Sequence, residues 1–188
     1  ADRLGRLRDR DAPVAIFRRL VEEIGVFLAY EATRALETSS GSVRTPLEAA
    51  PARRIARRPV VAPILRAGLG LLPGFLQCID DAEIAHVGLY RDPATLEAVP
   101  YYANMPVTLA GRDVFVLDPM LATGHSGAAA LALLAARGAQ AVTFVCVIAA
   151  PEGIATIVRA HPELRIVTAS IDERLNDHGY ILPGLGDA

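Results

Sequence analysis

The chain has 188 residues, 52% of them hydrophobic, with a formal net charge of -2 and 2 cysteines. That composition fits one globular domain of ordinary size, and it excludes a disordered chain, a disulfide scaffold and a generally nucleic-acid-coating surface. All 19 basic residues are arginine, so neither a Schiff-base lysine nor a lysine-bearing Walker loop can operate here.

The N-terminal ADRLGRLRDRD is charged and lacks the apolar core of a signal peptide. No uncharged apolar stretch reaches the length of a membrane span. Cys78 and Cys146 both sit in apolar surroundings, which points to a reduced, cytoplasmic protein. Residues 14–36 then carry Ile16, Leu20, Ile24, Phe27 and Leu28 at helical spacing, with Arg18, Arg19, Glu22 and Glu23 on the other face. Pro13 suits the start of that helix. Residues 37–59 read as a polar loop.

From residue 59 the pattern changes to apolar runs at 59–67, 83–91, 112–120, 141–150 and 164–172, separated by helix-like segments at 69–79, 127–137 and 151–161. Continuous β-branched runs mean strands buried on both faces, and strands alternating with helices mean βαβ units. The fold class expected is therefore α/β, an open parallel sheet flanked by helices. Runs 83–91 and 98–107 lack a helix between them, which predicts a β-hairpin flap over 89–102. Ligands of such sheets bind beyond the carboxyl ends of the strands, where Arg66, Arg91, Asp118, Ala150 and Asp172 all fall.

Four stretches at or near that edge carry chemistry. In VLDPMLATGHSG (116–127) a strand delivers Asp118, Pro119 redirects the chain, and Ala122, Thr123, Gly124, His125 and Ser126 enter a helix. Amides at a helix N-terminus beside two hydroxyls suit a terminal phosphate, and the carboxylate upstream is placed for ribose hydroxyls. The plainer alternative is that Thr123 and Ser126 only cap the helix. In PILRAGLGLLPG (63–74), Arg66 followed by Gly68 and Gly70 suits an oxyanion, or is simply an exposed strand-to-helix turn. Arg91 and Asp92 open a flap able to exclude water, or an ordinary hairpin loop. Finally, Gly179, Gly184 and Gly186 bracket Tyr180-Ile181-Leu182-Pro183, a stretch read as neither helix nor strand. It could press on a planar ring, or be a loose tail.

These stretches carry a resemblance. DPMLATGHS (118–126) resembles the phosphoribosyl-pyrophosphate (PRPP) signature of the phosphoribosyltransferases. Together with VAPILRAGLG, GLYRDPATLEAVPYY, ASIDERLN and HGYILPGLGDA, it resembles the uracil phosphoribosyltransferases in particular, from the N-terminal LAYEATR to the last residue. The resemblance implies a single domain over 1–188: an N-terminal helix and loop (1–58), an α/β core (59–172) with the flap, and a base-recognition loop or hood (173–188). It implies transfer of the phosphoribosyl group from PRPP to uracil, giving UMP and pyrophosphate. Arg66 and Arg91 would grip the pyrophosphate. Asp118, Pro119, Met120, Leu121 and Ala122 would lie along the ribose, and Thr123, Gly124, His125 and Ser126 around the 5′-phosphate. Ile181, Gly186, Asp187 and Ala188 would hold uracil, with Asp187 also near PRPP. Asp118, Arg91 and Asp187 are the implied catalytic residues. Mg²⁺ is the implied cofactor, held mainly through PRPP with Asp187 as a candidate ligand. GTP as an activator and a homodimer or higher homo-oligomer complete the implication, with no nucleic-acid or membrane partner.

The pattern departs from the family in two places: His125 replaces a small residue, and Pro73 stands where relatives tend to have Asp. The chain also stops at Ala188, where relatives continue for a few residues. Rival readings are a phosphoribosyltransferase for another base, an RNA-binding regulator using the arginines of PARRIARRP (51–59), and a weakly active homologue.

Overall fold

The computed structural model describes residues 1–91 and 98–186, with only the backbone of Arg91. Two helices open the chain, α1 (Asp2–Leu7) and α2 (Val14–Thr33). The expected helical face is largely the buried one, with Leu20, Val21, Ile24, Leu28, Ala29 and Ala32 inside. Phe27 is a correction. It is 59% exposed, and the Arg3 guanidinium lies 5.4 Å from its ring centroid. The helix axis turns it one step past the buried stripe, and the cation covers what the core does not.

Residues 37–59 are a second correction. They form an antiparallel ribbon of β1 (Thr38–Arg44) and β2 (Ala49–Ile55), paired from Thr38↔Ile55 to Arg44↔Ala49. Nearly every residue of it is exposed. With neither face buried, no alternation of polar and apolar residues marks it as a strand pair.

The core sheet follows the expected order of apolar runs. Its strands are β3 (Val60–Leu65), β4 (Glu83–Ile84), β5 (His86–Arg91), β6 (Ala98–Asn104), β7 (Asp113–Leu117), β8 (Met120–Leu121), β9 (Ala141–Ala149) and β10 (Arg165–Ile171). The spatial order is β10-β9-β7-β3-β5-β6, with β4 beside β3 and β8 beside β9. Every pairing is parallel except β5 with β6, the two arms of the predicted flap. Helices α3 (Leu72–Cys78), α4 (His125–Ala135) and α5 (Pro151–Ala160) supply the crossovers.

The sheet is covered on both faces, which is why its strands read as unbroken apolar runs. On one side α1, α2 and α3 bring Leu7, Leu20, Ile24 and Phe75 against Phe115 and Val145. On the other, α4 and α5 bring Ala130, Leu131, Leu134 and Ile157 against Val116 and Phe144. Phe75 is fully buried with its ring centroid 5.7 Å from that of Phe115, so its truncation to alanine would cost about 3–5 kcal/mol. Cys146 is buried as expected, but Cys78 is exposed at the end of α3. Among the described residues no helix is long and apolar enough to cross a membrane.

Candidate active site

Parallel pairing sets the strand ends in one row. β3, β7, β9 and β10 finish at Leu65, Leu117, Ala149 and Ile171, so Arg66, Asp118, Ala150 and Asp172 follow directly at one edge of the sheet. The register of β7 on β9 continues through the bend: the Asp118 amide donates to Val145 O at 3.1 Å, and Pro119 O accepts the amides of Val147 and Ile148 at 2.9 and 3.1 Å. The Ala150 amide then donates to Leu121 O at 2.9 Å. This pins Met120–Leu121 as β8, a strand too short for a sequence period to reveal.

Gly124 ends the loop with φ +83° and ψ −5°, a left-handed conformation that a side chain would resist. A Cβ there would also lie 2.8 Å from Gly153 O on α5. Helix α4 then starts at His125 with no side-chain cap, so capping is not what Thr123 and Ser126 do. The first amides of α4 have no intrahelical acceptor, and they sit beside a partly exposed Thr123 and an exposed His125 and Ser126. Gly153 escapes a reading of the residues, yet a Cβ added there would fall 2.2 Å from Ala122 O. Its only local signal is the PEG tripeptide that opens α5.

Asp118 is half-buried below this turn. Desolvation pushes its carboxyl up to about 7, against the opposing pull of the Met120 amide. Behind it on β9, burial pushes the Cys146 thiol up to about 12, with the Asp118 charge adding to the rise. Cys146 therefore remains a neutral thiol in the wall of the site.

Arg66 is exposed and, among the described residues, has no ion-pair partner. It leads into a 3₁₀ turn at Ala67–Gly70. A Cβ on Gly68 would lie 2.3 Å from Leu117 O, so this glycine brings the Arg66 turn hard against the residue before Asp118. Pro73 occupies the first turn of α3, where a missing N–H removes no helical hydrogen bond.

The C-terminal segment continues from Asp172 at this same edge. Arg174–Leu175 (β11) pairs antiparallel with Ile181–Leu182 (β12), so the stretch read as neither helix nor strand holds a two-residue strand. Asn176 Oδ1 accepts the amides of His178 and Tyr180 at 3.0 and 2.9 Å and shapes the turn between them. Ile181 is buried in the core, which leaves its backbone, not its side chain, for any ligand. A Cβ at Gly179 would lie 3.5 Å from Thr123 Cγ2, so the hood meets the Asp118–Ser126 loop. A cleft of about 470 Å³ runs along α2 at Val14, Phe17 and Val21 and the Ala67–Gly70 turn, and reaches Pro119 and Leu185. The approaches of Gly68 to Leu117 and of Gly179 to Thr123 bring the three segments together.

Residues 2–188 match the uracil phosphoribosyltransferase family. The chain belongs to that family. It is 51% identical to the uracil phosphoribosyltransferase of Acidovorax ebreus (strain TPSY) over 183 residues, which is 97% of this chain and 88% of that protein. It superposes on the AQ2163 protein from Aquifex aeolicus with a TM-score of 0.94 at 38% identity, covering 99% and 89% of the two chains. A purine phosphoribosyltransferase from Pyrococcus horikoshii Ot3, 13% identical, superposes with a TM-score of 0.54 over 81% of each chain and shares the fold alone. In this uracil phosphoribosyltransferase family member, residues 92–97 of the expected flap, the Arg91 side chain, Asp187 and Ala188 lie outside the described residues. The backbone of Arg91 ends β5 on the flap.

Proposed function

We propose that this enzyme transfers the 5-phosphoribosyl group of PRPP to uracil, releasing UMP and pyrophosphate, in the crevice beyond the carboxyl edge of the sheet. The observation that carries the reading is the close approach of the Arg66 turn to the Asp118–Ser126 loop at Gly68, and of the 173–186 hood to the same loop at Gly179. The amides of Thr123–Ser126 take the 5′-phosphate at the positive end of α4. Asp118, once ionised, accepts hydrogen bonds from the ribose hydroxyls. As the bond from C1 to the pyrophosphate oxygen breaks, negative charge grows on the leaving group and positive character on the ribose. Arg66 and Arg91 meet the first, and the second develops near Asp118, so catalysis is positional and electrostatic. The flap excludes water that would otherwise take the ribosyl group.

Uracil presents an N3–H donor between two carbonyl acceptors, which backbone groups of Ile181, Gly186, Asp187 and Ala188 complement. Cytosine would leave such groups unpaired at roughly 1–3 kcal/mol each. Among the described residues no three His, Cys, Asp or Glu side chains cluster as a metal site. The Mg²⁺ of this reading arrives on the pyrophosphate and takes one or two protein carboxylates at most, Asp187 being the acid proposed. Bound there, the ion would neutralise charge on the leaving group.

Three arginines of the PARRIARRP stretch donate to their own chain: Arg53 to Thr38, Arg57 to Gly111 O and Arg58 to Asp81 O. That supports the enzyme over an RNA-binding regulator. A two-stranded ribbon is marginal by itself, and the exposure of both faces of β1–β2 supports assembly into a homodimer or larger homo-oligomer. GTP activation and a cytoplasmic location belong to the same reading. Conversion of radiolabelled uracil with PRPP and Mg²⁺, with cytosine, orotate and hypoxanthine in parallel and GTP added in one arm, tests it. Product from uracil alone supports the reading, and conversion of another base in its place refutes it.

A further inference from the structure

We infer that Arg8 is a positioning residue for the base-recognition hood, fixing the backbone that reads uracil through Asp172 and Gly184. This rests on the proposed function above and extends it to the opposite end of the chain. Arg8 closes α1 and sends its guanidinium fork onto Asp172, Nη2 to Oδ1 at 2.6 Å and Nη1 to Oδ2 at 2.7 Å. The same Nη1 donates to Gly184 O at 2.9 Å. The Gly184 amide in turn donates to Asp172 Oδ2 at 3.0 Å. Both backbone polar groups of Gly184 are therefore held by this one ion pair.

Asp172 is a fixed post. Its side chain is 2% exposed, and it is the one buried charged residue among the described residues. Its amide donates to Ala149 O at 2.8 Å, and its Oδ1 also accepts the Ser170 hydroxyl at 3.0 Å. The Arg8 hydrogen bond holds its carboxyl below the ordinary range, so the pair is charged at neutral pH. Buried ion pairs are weak sources of stability, since an apolar pair of similar volume often serves as well. What this pair supplies is geometry: planar and bidentate, it fixes direction as well as distance.

Gly184 passes that geometry on. It sits at φ +69°, and a Cβ on it would fall 2.2 Å from Ile181 O. The turn from Ile181 to Gly184 is thus so tight that moving one end moves the Ile181 carbonyl. A second tie, the Leu175 amide on Glu152 Oε1 at 3.1 Å, secures the other arm of the hood to α5. With that arm fixed, the β11–β12 pairing and the buried Ile181 side chain hold the start of the 181–186 segment, and the Arg8–Asp172 pair holds it at Gly184.

The test measures KM for uracil and for PRPP, with thermal melting, in R8M, R8K, D172N, the double variant R8M/D172N, and G186A. G186A perturbs the hood directly, because Gly186 has φ +82° and open space around it. The expected result is a rise of about ten- to a hundredfold in the uracil KM of R8M, with the PRPP KM within about twofold. R8K, which keeps the charge and loses the planar fork, recovers part of the loss, and the double variant is no worse than the poorer single one. An unchanged uracil KM in R8M, or equal changes in both KM values that follow the loss of melting temperature, overturns the inference. Should R8M fail to fold, R8K decides by the same split between the two KM values. If G186A raises the uracil KM and the Arg8 variants do not, the hood still reads uracil and only the role of Arg8 falls. If none of them moves it, the reading of the hood falls as well.

Discussion

Asp118→Asn should make the free protein more stable and the enzyme far less active. In the fold the carboxyl is pushed from an ordinary 3.8 up to about 7 by desolvation, so folding disfavours its ionised form. That rise corresponds to about 4 kcal/mol at most. Asp118 keeps an exposed edge, and discounting by half for solvent leaves about 2 kcal/mol. For a chain of this size that is about 4–8 °C in melting temperature. The sign follows from the raised folded-state value. The stability linked to Asp118 is fully present below about pH 4 and is lost as pH climbs to about 7. The gain of the Asn variant is therefore largest near pH 8 and small near pH 4.5. Thermal melts of both proteins across that range, without ligand, measure it, and PRPP titrations of the same samples should show weakened binding. A gain independent of pH, or a variant less stable than the parent at pH 8, would refute the reasoning.

The same titration should appear in kinetics: kcat/KM for PRPP rises between pH 6 and 8 as Asp118 ionises, and D118N flattens that rise. Gly124→Ala should raise the PRPP KM and cost about 1–3 kcal/mol of stability in urea melts, because its φ of +83° and the 2.8 Å approach to Gly153 O leave no room for a methyl group. His125→Gly tests whether the exposed ring at the start of α4 contacts the bound phosphate: the PRPP KM should rise in the variant with the uracil KM unchanged, and an unchanged PRPP KM removes the ring from the site.

The core sheet was readable because parallel strands buried on both faces leave unbroken runs such as VVAPIL and VTFVCVIA, and the helices between them leave a different period. Asp118–Ser126 was readable because its chemistry is contiguous, a carboxylate, a bend and a helix start within nine residues. Elsewhere the physics was not local. Both faces of β1–β2 meet water, so it carries no alternation, while β8 and β12 have two residues each and no period at all. Phe27 fits the helical repeat as well as Leu28 does, and only packing separates the exposed residue from the buried one. Gly153 matters through a carbonyl contributed by another loop. Arg8 and Asp172 lie 164 residues apart, and nothing near either one announces the other.

The most direct measurement is a crystal structure of the enzyme with Mg²⁺, uracil and a non-hydrolysable PRPP analogue. The expected result places the 5′-phosphate on the amides of Thr123–Ser126, the ribose hydroxyls on Asp118, the pyrophosphate against Arg66, and the uracil edge on the backbone of the 181–186 segment. A phosphate bound away from the start of α4, or a uracil ring that makes no contact with that segment, would contradict it.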